Sequence, residues 1–313
     1  MIRRAAFVIA VASLLGTTQA ADSTVALRSH YVEGAEGVPI NVVESGPADA
    51  PAVLLLHGFA QSHFSWTFQL QSSLAGRYHL IAMDLRGHGN SGKPWTESSY
   101  VARCIWADDV RRIIAATARR PVWLVGWSFG SWVVVDYLSC FGQNGIAGVA
   151  LVGGLGGLLP PAAPTTAADQ RQAQARAAKS VSGVLAENFE VGDDVARLLI
   201  HAPVPDTWRT RAAATNVLMP PYARVLALKR SFDHQGDIGA MSLPVLIVAG
   251  DQDPVAPVAQ ARVAAARLPR ASLQIIAGAG HTMMAEQPEA FNKILADFIE
   301  QERHGKSTDA ERK

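Results

Sequence analysis

Ser128 lies between two glycines in the stretch Gly126-Trp127-Ser128-Phe129-Gly130, directly after the apolar run 122–125. A serine hydroxyl can act as a nucleophile when a sharp turn between a strand and a helix holds it exposed. Such a turn strains the serine backbone and leaves no room for side chains two residues before and after it, so both positions favour glycine. The helix that follows favours developing negative charge at its start. The stretch therefore predicts a nucleophile elbow.

A serine nucleophile needs a base, and nine histidines are candidates. His281 directly follows the predicted strand 272–277, so we expect it in a loop at the carboxyl edge of a parallel sheet, where ligands of such folds bind. His57 and His88 lie in glycine-containing turns, where we expect ring hydrogen bonds to the loop. No comparable geometric argument supports the remaining six histidines as the base. His63, His201 and His234 could contact substrate, whereas His30, His79 and His304 fall at strand or tail positions.

The base in turn needs a carboxylate to orient it. Asp251 and Asp253 both follow the predicted strand 243–249; Asp253 lies further into the loop, whereas we expect Asp251 to hold the turn. Asp84 also ends a strand, but the neighbouring Arg86 offers it a structural partner. The predicted catalytic residues are therefore Ser128, Asp253 and His281, in the chain order of elbow-type hydrolases.

Apolar runs that alternate with helical patterns are typical of a parallel sheet covered by helices on both faces. The first two predicted strands form an antiparallel hairpin. The predicted strands lie at 25–33, 40–45, 52–56, 78–83, 122–125, 146–152, 243–249 and 272–277. The predicted helices of this domain lie at 63–74, 99–118, 129–141, 257–267 and 286–300.

This alternation stops after the sixth strand. Residues 154–168 are rich in Gly, Pro, Ala and Thr, which indicates a linker, and 169–232 follow a helical pattern throughout. The sequence thus predicts an α/β domain with an inserted helical cap and a flexible charged tail. The expected boundaries are 21–157 and 236–302 for the α/β domain, 158–235 for the cap and 303–313 for the tail.

Residues 1–20 have the pattern of an export signal. Arg3 and Arg4 precede the apolar run 5–16, and Thr18 and Ala20 supply the small residues before a cleavage site. The apolar run is shorter than the roughly 20 residues that span a bilayer. The alternatives are a buried first strand or a short anchor. We expect cleavage after Ala20 and a periplasmic or secreted protein.

Charge and motifs limit the partners. Without the signal's two arginines, the 28 Lys and Arg become 26, against 27 Asp and Glu. A near-neutral chain without basic runs argues against binding to nucleic acid or an anionic membrane surface, and no membrane span follows Ala20. The sequence has no HExxH, cysteine cluster or dinucleotide-binding glycine motif, so we expect a small-molecule substrate and neither metal nor cofactor. It does not indicate an oligomeric state.

The chain's two cysteines, Cys104 and Cys140, invite a disulfide in an exported protein. The first falls early in the predicted helix 99–118 and the second late in the predicted helix 129–141. Neighbouring parallel helices with axes roughly 9 Å apart would hold these positions beyond the ~7 Å Cα limit for a bridge. The sequence therefore favours two buried free thiols.

Several segments together resemble the α/β-hydrolase superfamily, and they cover both halves of the α/β domain. The matching segments are His57-Gly58-Phe59, 84–91, the elbow, 250–257 and Gly280-His281 with Glu286 and Pro288 after it. The sequence is most similar to cofactor-free esterases grouped with non-haem haloperoxidases and perhydrolases. The resemblance implies an oxyanion hole from the backbone N–H groups of Phe59 and Phe129.

The chain also departs from relatives in the superfamily. Epoxide hydrolases and haloalkane dehalogenases of this fold use an aspartate where this chain has Ser128. Many of them carry a proline soon after the His-Gly motif, where this chain has Ala60. Ser131 stands where many relatives have a further glycine, so we expect it and Trp132 to crowd the first turn of the elbow helix and to affect only the shape of the pocket.

The predicted function is hydrolysis of a small, largely apolar carboxylic ester through an acyl-enzyme. The same residues could act on a lactone, an amide, a C–C bond or a peracid, and a ligand-binding receptor with little turnover is the non-enzymatic alternative. Candidate pocket residues are Trp127 next to the nucleophile and, in the cap, Trp208, Met219 and Tyr222. Aromatic residues on inserted helices also serve simply as packing.

Overall fold

The computed structural model describes residues 25–118, 121–160 and 166–310, so the predicted export signal lies outside the described residues. An eight-stranded sheet forms the centre of the molecule. Its strands are β1 Arg28–Glu33, β2 Pro39–Ser45, β3 Ala52–Leu56, β4 His79–Met83, β5 Val122–Trp127, β6 Ile146–Val152, β7 Val245–Gly250 and β8 Ala271–Ile276. All eight predicted strands are present, with small shifts at their ends.

The strands lie in the order β1-β2-β4-β3-β5-β6-β7-β8. β1 pairs with β2 and β2 with β4 in antiparallel register, whereas the remaining neighbours are parallel. The parallel strands therefore end at one common edge. There Leu56 of β3 lies opposite Gly126 of β5, and Trp127 lies opposite Val152 of β6.

Helices cover both faces of this sheet, as predicted. The helices of the described residues, including those of the insert after β6, are α1 Thr67–Leu70, α2 Ser98–Val101, α3 Ile105–Thr117, α4 Phe129–Phe141, α5 Ala167–Ser180, α6 Leu185–Leu199, α7 Asp206–Asn216, α8 Pro221–Leu228, α9 Val258–Arg267, α10 Met283–Glu286 and α11 Pro288–Ala310. Alternate strand residues face opposite sides. Leu54 and Leu56 pack in the core that includes α3, α4 and α9, and Val53 and Leu55 pack in the core that includes α11.

Three predicted helices differ from those observed. Short 3-10 turns replace both ends of the predicted helix 63–74, since the side chains of Ser62 and Ser72 accept backbone N–H groups two residues ahead. The predicted helix 99–118 divides into α2 and α3. The last helix continues to Ala310, into the expected flexible tail; ion pairs of Glu302 with Arg270 and of Arg303 with Glu300 accompany this extension.

Helices α5–α8, which we call the helical insert, lie between β6 and β7. The entry and exit of the insert meet, because His234 N–H donates to Gly157 O at 3.0 Å. The exit is also tied to α4, where Asp136 pairs with Arg230 and with His234. The insert is thus fixed to the helix that begins at the elbow.

The expectation of two free thiols is wrong, because Cys104 and Cys140 form a disulfide with a Cα–Cα distance of 5.8 Å. The prediction placed both cysteines inside parallel helices. Cys104 instead lies in the break between α2 and α3, in left-handed backbone conformation (φ 65°). Because Cys104 lies outside both helices, its backbone does not have to follow a helix axis, and its side chain reaches Cys140 in the last turn of α4.

The disulfide generates a stability prediction. It closes a loop of 36 residues in sequence separation, so replacing both cysteines by serine should lower the free energy of unfolding by roughly 2–4 kcal/mol. Urea unfolding of the oxidised wild type and the double variant measures the difference. A reducing agent should destabilise the wild type and leave the variant unchanged; equal stability of all these samples would contradict the prediction.

Candidate active site

Ser128 occupies the turn between β5 and α4 with φ 52° and ψ −116°. Positive φ is unusual for a residue with a side chain, and here contacts from both sides enforce it. A Cβ on Gly126 would lie 2.5 Å from Gly130 O, and one on Gly130 would lie 2.3 Å from Leu56 O. Ser128 N–H donates to Val152 O at 2.8 Å, which ties the turn to β6. The glycines are therefore a steric requirement of this turn.

Ser131 supports the turn from behind. It is buried, and its hydroxyl donates to Gly126 O at 2.8 Å. Trp132, the next residue, lies beside Ser128 in two cavities and donates its indole N–H to Phe232 O at 3.1 Å. Ser131, which stands where many relatives have glycine, thus supports the elbow, and Trp132 shapes the space next to it.

His281 and Asp253 lie in hydrogen-bond contact. His281 Nδ1 is 2.8 Å from Asp253 Oδ2, and both side chains are buried. The other carboxylate oxygen, Oδ1, accepts the N–H groups of Val255 and Ala256 at 2.7 and 2.9 Å. The carboxylate is therefore fixed before it meets the imidazole, and the imidazole keeps Nε2 for another partner.

Glu286 anchors the loop that carries His281. Its carboxylate accepts the N–H groups of Gly280 and Thr282 and the Thr282 hydroxyl. It also accepts the N–H groups of His201 and Ala202, which lie between α6 and α7 of the insert. The His281 N–H donates to Leu199 O at 2.8 Å. The sequence motif contained Glu286, but spacing alone did not show that it joins this loop to the insert.

The turn after β3 packs directly on the elbow. A Cβ on Gly58 would meet the Trp127 ring at 3.0 Å and Ser128 Cβ at 3.3 Å. His57 holds this turn, because its Nδ1 bonds to Gly58 O at 2.7 Å and its Nε2 accepts Leu85 N–H at 2.9 Å. Burial lowers the pKa of His57 to about 4, so the ring is neutral and serves as scaffold at neutral pH.

His88 is a second buried scaffold histidine. Its Nδ1 bonds to Arg86 O at 2.9 Å, and its ring lies 5.1 Å from the His57 ring and 6.1 Å from the Phe129 ring. Burial lowers its pKa well below the ordinary value.

Phe59 and Phe129 also contact each other, with ring centroids 5.6 Å apart. Phe129 begins α4, so its N–H has no partner within the helix.

The two rival aspartates have other partners. Asp251 accepts Gly278 N–H at 2.7 Å and joins the loops that follow β7 and β8. Asp84 is buried and binds His63, Asn41 and the Asn90 N–H.

The expected pairing of Asp84 with Arg86 is wrong. Arg86 forms a buried two-point ion pair with Asp109 instead, with both N–O distances 2.7 Å. The geometric reason is that Arg86 points towards α3, whereas Asp84 caps the loop that contains His63.

Two cavities meet at Ser128. One, the apolar cavity, has a volume of about 370 Å³ and lies against β6 and β7. The other, the insert cavity, has a volume of about 390 Å³ and extends beneath α5–α8; Phe59, Phe129 and His281 also line it. Ser128 stands where the two cavities adjoin, since Trp132, Phe232 and Val255 also line both of them.

Of the four candidate pocket residues, only Trp127 lines a cavity at Ser128. Trp208 stacks on Phe64 and Phe68, Met219 is buried in the core, and Tyr222 stacks on Trp95 with its hydroxyl on Lys93 O. The sequence pattern favoured large side chains of the insert, which serve as packing. It missed the insert residues that do line the cavity, because helical periodicity does not show which face turns to Ser128.

Comparison with known proteins agrees with this architecture. Residues 53–294 match the alpha/beta hydrolase family model. The esterase/perhydrolase DCH of Acinetobacter calcoaceticus is 27% identical over 86% of this chain and 99% of its own, and epoxide hydrolase A of Mycobacterium tuberculosis is 26% identical over 84% and 94%. The structure of a candidate aryl esterase from Burkholderia cenocepacia is 31% identical, covers 88% of this chain and 100% of its own, and superposes with a TM-score of 0.78.

The chain therefore belongs to the α/β-hydrolase family, and the protein is an enzyme, a hydrolase that resembles the esterases of the haloperoxidase and perhydrolase group. Across the described ranges 25–118, 121–160 and 166–310, no helix is long and apolar enough to cross a membrane. The same residues contain no group of three His, Cys, Asp or Glu placed to hold a metal ion.

The close approach at the elbow can be tested with alanine. Gly130→Ala should destabilise the fold by about 1–3 kcal/mol, because the new Cβ must displace the backbone at Leu56. Gly183→Ala is the matched control: a Cβ there meets no heavy atom within 4 Å, and the change should stay within about 0.5 kcal/mol. Urea unfolding measures both. Equal effects of the two substitutions would contradict the steric account.

Asp84 should give a pH-dependent contribution to stability. Burial opposes ionisation, but the hydrogen bond and charge of His63, with further contacts, outweigh it and lower the pKa of Asp84 to about 2 from its ordinary 3.8. A carboxylate whose pKa is lower in the folded state than in the unfolded state stabilises the fold at pH values above its unfolded pKa. This contribution is lost as the pH falls through the folded pKa. Asp84→Asn should therefore cost about 2 kcal/mol near pH 7 and less near pH 3.

Urea unfolding of wild type and Asp84→Asn at both pH values measures this change. Exposed Asp49→Asn is the control, and its effect should stay below about 0.5 kcal/mol at each pH. A cost of Asp84→Asn that stays the same or grows towards acid would show that ionised Asp84 does not stabilise the fold.

Proposed function

We propose that the protein is an exported serine esterase that cleaves a small carboxylic ester through Ser128, His281 and Asp253. The observation that carries the proposal is the buried His281–Asp253 hydrogen bond of 2.8 Å beside a cavity that Ser128 also lines. A base held in one orientation next to a strained, partly exposed serine is the arrangement that activates a hydroxyl. The family's esterase members support the ester as substrate.

In the first half of the reaction, Ser128 Oγ attacks the ester carbonyl while His281 Nε2 takes the hydroxyl proton. Asp253 holds the imidazole through Nδ1 and stabilises the imidazolium that forms. The N–H groups of Phe59 and Phe129 donate to the developing oxyanion, and the positive end of α4 adds to this stabilisation. His281 then gives its proton to the departing alcohol and leaves an acyl group on Ser128.

In the second half, water attacks the acyl-enzyme while His281 again acts as base, and the carboxylic acid leaves. The two cavities at Ser128 supply space for the acyl and the alcohol parts. One part of the ester is expected to be largely apolar, because the apolar cavity is lined by Leu155, Leu159, Phe232, Val255 and Pro257. The same residues can also act on lactones, amides, C–C bonds or peracids, and the two spaces favour none of these over an ester.

Export is part of the proposal. The pattern of residues 1–20 supports it, and so does the disulfide between the chain's two cysteines, because disulfides persist in the periplasm and outside the cell and are rare in the cytosol. N-terminal sequencing of protein recovered from the periplasm or medium tests it. The expected mature N-terminus is Ala21; uncleaved protein that stays in the cytosol would contradict export.

Steady-state kinetics with short-chain 4-nitrophenyl esters test the proposed roles. Ser128→Ala should lower kcat by at least about 10³-fold and Asp253→Asn by about 10²–10⁴-fold. Asp251→Asn is the matched control in the same loop and should retain activity within a few-fold, since Asp251 bonds to Gly278 N–H rather than to the histidine. Comparable losses in both aspartate variants, or an active Ser128→Ala, would contradict the assignment.

A further inference from the structure

The insert cavity has a cationic end, whereas none of the described residues that line the apolar cavity is charged. Arg176 and Arg224 line it together with Ser180 and Asn216. None of the described residues that line this cavity is an aspartate or a glutamate. We use the name polar recess for the part of the cavity lined by Arg176, Ser180, Asn216 and Arg224. An ester that is neutral throughout would offer these two guanidinium groups no negative partner, whereas a carboxylate would.

Arg224 is held firmly in the wall of this recess. It is 1% exposed, and its guanidinium donates from Nε to Met219 O, from Nη1 to Ser180 O and from Nη2 to Asn216 O, at 2.8, 2.9 and 2.5 Å. Ser180 and Asn216 are the last residues of α5 and α7, where helix dipoles favour a cation, and Met219 lies in the segment between α7 and α8. A guanidinium has five N–H donors, so three carbonyls leave donors for a ligand.

Burial lowers the pKa of Arg224 only to about 10, so the group remains charged at neutral pH. Asn216 gives a second and independent indication of a ligand. Its side chain is buried in the cavity wall, and its Oδ1 has no hydrogen-bond partner among the described residues. With the amide reversed, its NH2 group takes the position of this oxygen and can donate to a ligand that accepts hydrogen bonds.

We propose that the polar recess binds a carboxylate, so that the ester cleaved at Ser128 carries a negative charge at one end. This inference rests on the proposed esterase function and names its substrate class. The carboxylate would accept hydrogen bonds from Arg176 and Arg224, for which the planar guanidinium is well matched. The apolar cavity then takes the uncharged half. The carboxylate can belong to the acyl half or to the alcohol half of the ester, and matched esters distinguish the two.

The acyl arm of the test compares mono-(4-nitrophenyl) glutarate with 4-nitrophenyl 5-methylhexanoate, in which an isopropyl group replaces the carboxylate. The alcohol arm compares 3-carboxy-4-nitrophenyl acetate with its 3-carbamoyl analogue. In at least one arm the charged ester should have a kcat/KM at least about tenfold above that of its neutral partner, which is the scale of one charge-assisted hydrogen bond. A neutral ester that is equal or better in both arms would overturn the proposal.

Arg176→Gln is the informative variant, because Arg224 also holds helix ends and its loss would disturb the fold. Arg176→Gln should lower the ratio of kcat/KM for the charged ester to kcat/KM for its neutral partner by about tenfold. Arg171→Gln removes the same charge from an exposed position of the same helix and should keep the preference. A preference that falls equally in both variants would reflect general surface charge and would also overturn the proposal.

Calorimetric titration with monomethyl glutarate separates this inference from the proposed function, because binding requires no turnover. In a Ser128→Ala background, Arg176→Gln should weaken binding at least about tenfold relative to Arg171→Gln. If esters were not cleaved and this difference remained, the esterase proposal would fail and the carboxylate site would stand. If neutral esters were cleaved through Ser128 and binding did not differ between the variants, only the carboxylate site would fail.

Discussion

The strained backbone of Ser128 is the constraint on which the rest of the site depends. Gly126 and Gly130 permit it, since a Cβ at either position would lie within 2.5 Å of a backbone oxygen. Because the turn stands at the common edge of the parallel strands, the loops after β3, β7 and β8 converge on it. Two of these loops have their own anchors: Asp253 Oδ1 binds two backbone N–H groups, and Glu286 binds the segment around His281.

The sequence predicted the sheet, both layers of helices and the position of the insert, because apolar periodicity records which faces are buried. It also selected Ser128, Asp253 and His281, and the structure brings His281 and Asp253 within hydrogen-bond distance. Their common location could be predicted because each follows a strand, and the carboxyl ends of parallel strands meet at one edge. The local sequence pattern and the alternation of strands and helices together were sufficient to place the three residues at this edge.

The features that escaped prediction depend on contacts between distant segments. Cys104 meets Cys140 because the chain leaves the helical path between α2 and α3, and no periodicity announces such a break. Arg86 pairs with Asp109 rather than with its neighbour Asp84, since side-chain direction decides the partner. Arg224 joins the ends of two insert helices at the wall of a cavity, which its sequence context does not reveal.

The most direct test of the central claim is mass spectrometry of the mature protein after treatment with a fluorophosphonate. The account predicts one covalent adduct, located on the peptide that contains Ser128 and absent from Ser128→Ala. His281→Ala should label far more slowly, because the hydroxyl loses its base. No adduct on the folded wild type, or an adduct that persists in Ser128→Ala, would contradict the assignment of Ser128 as an activated nucleophile.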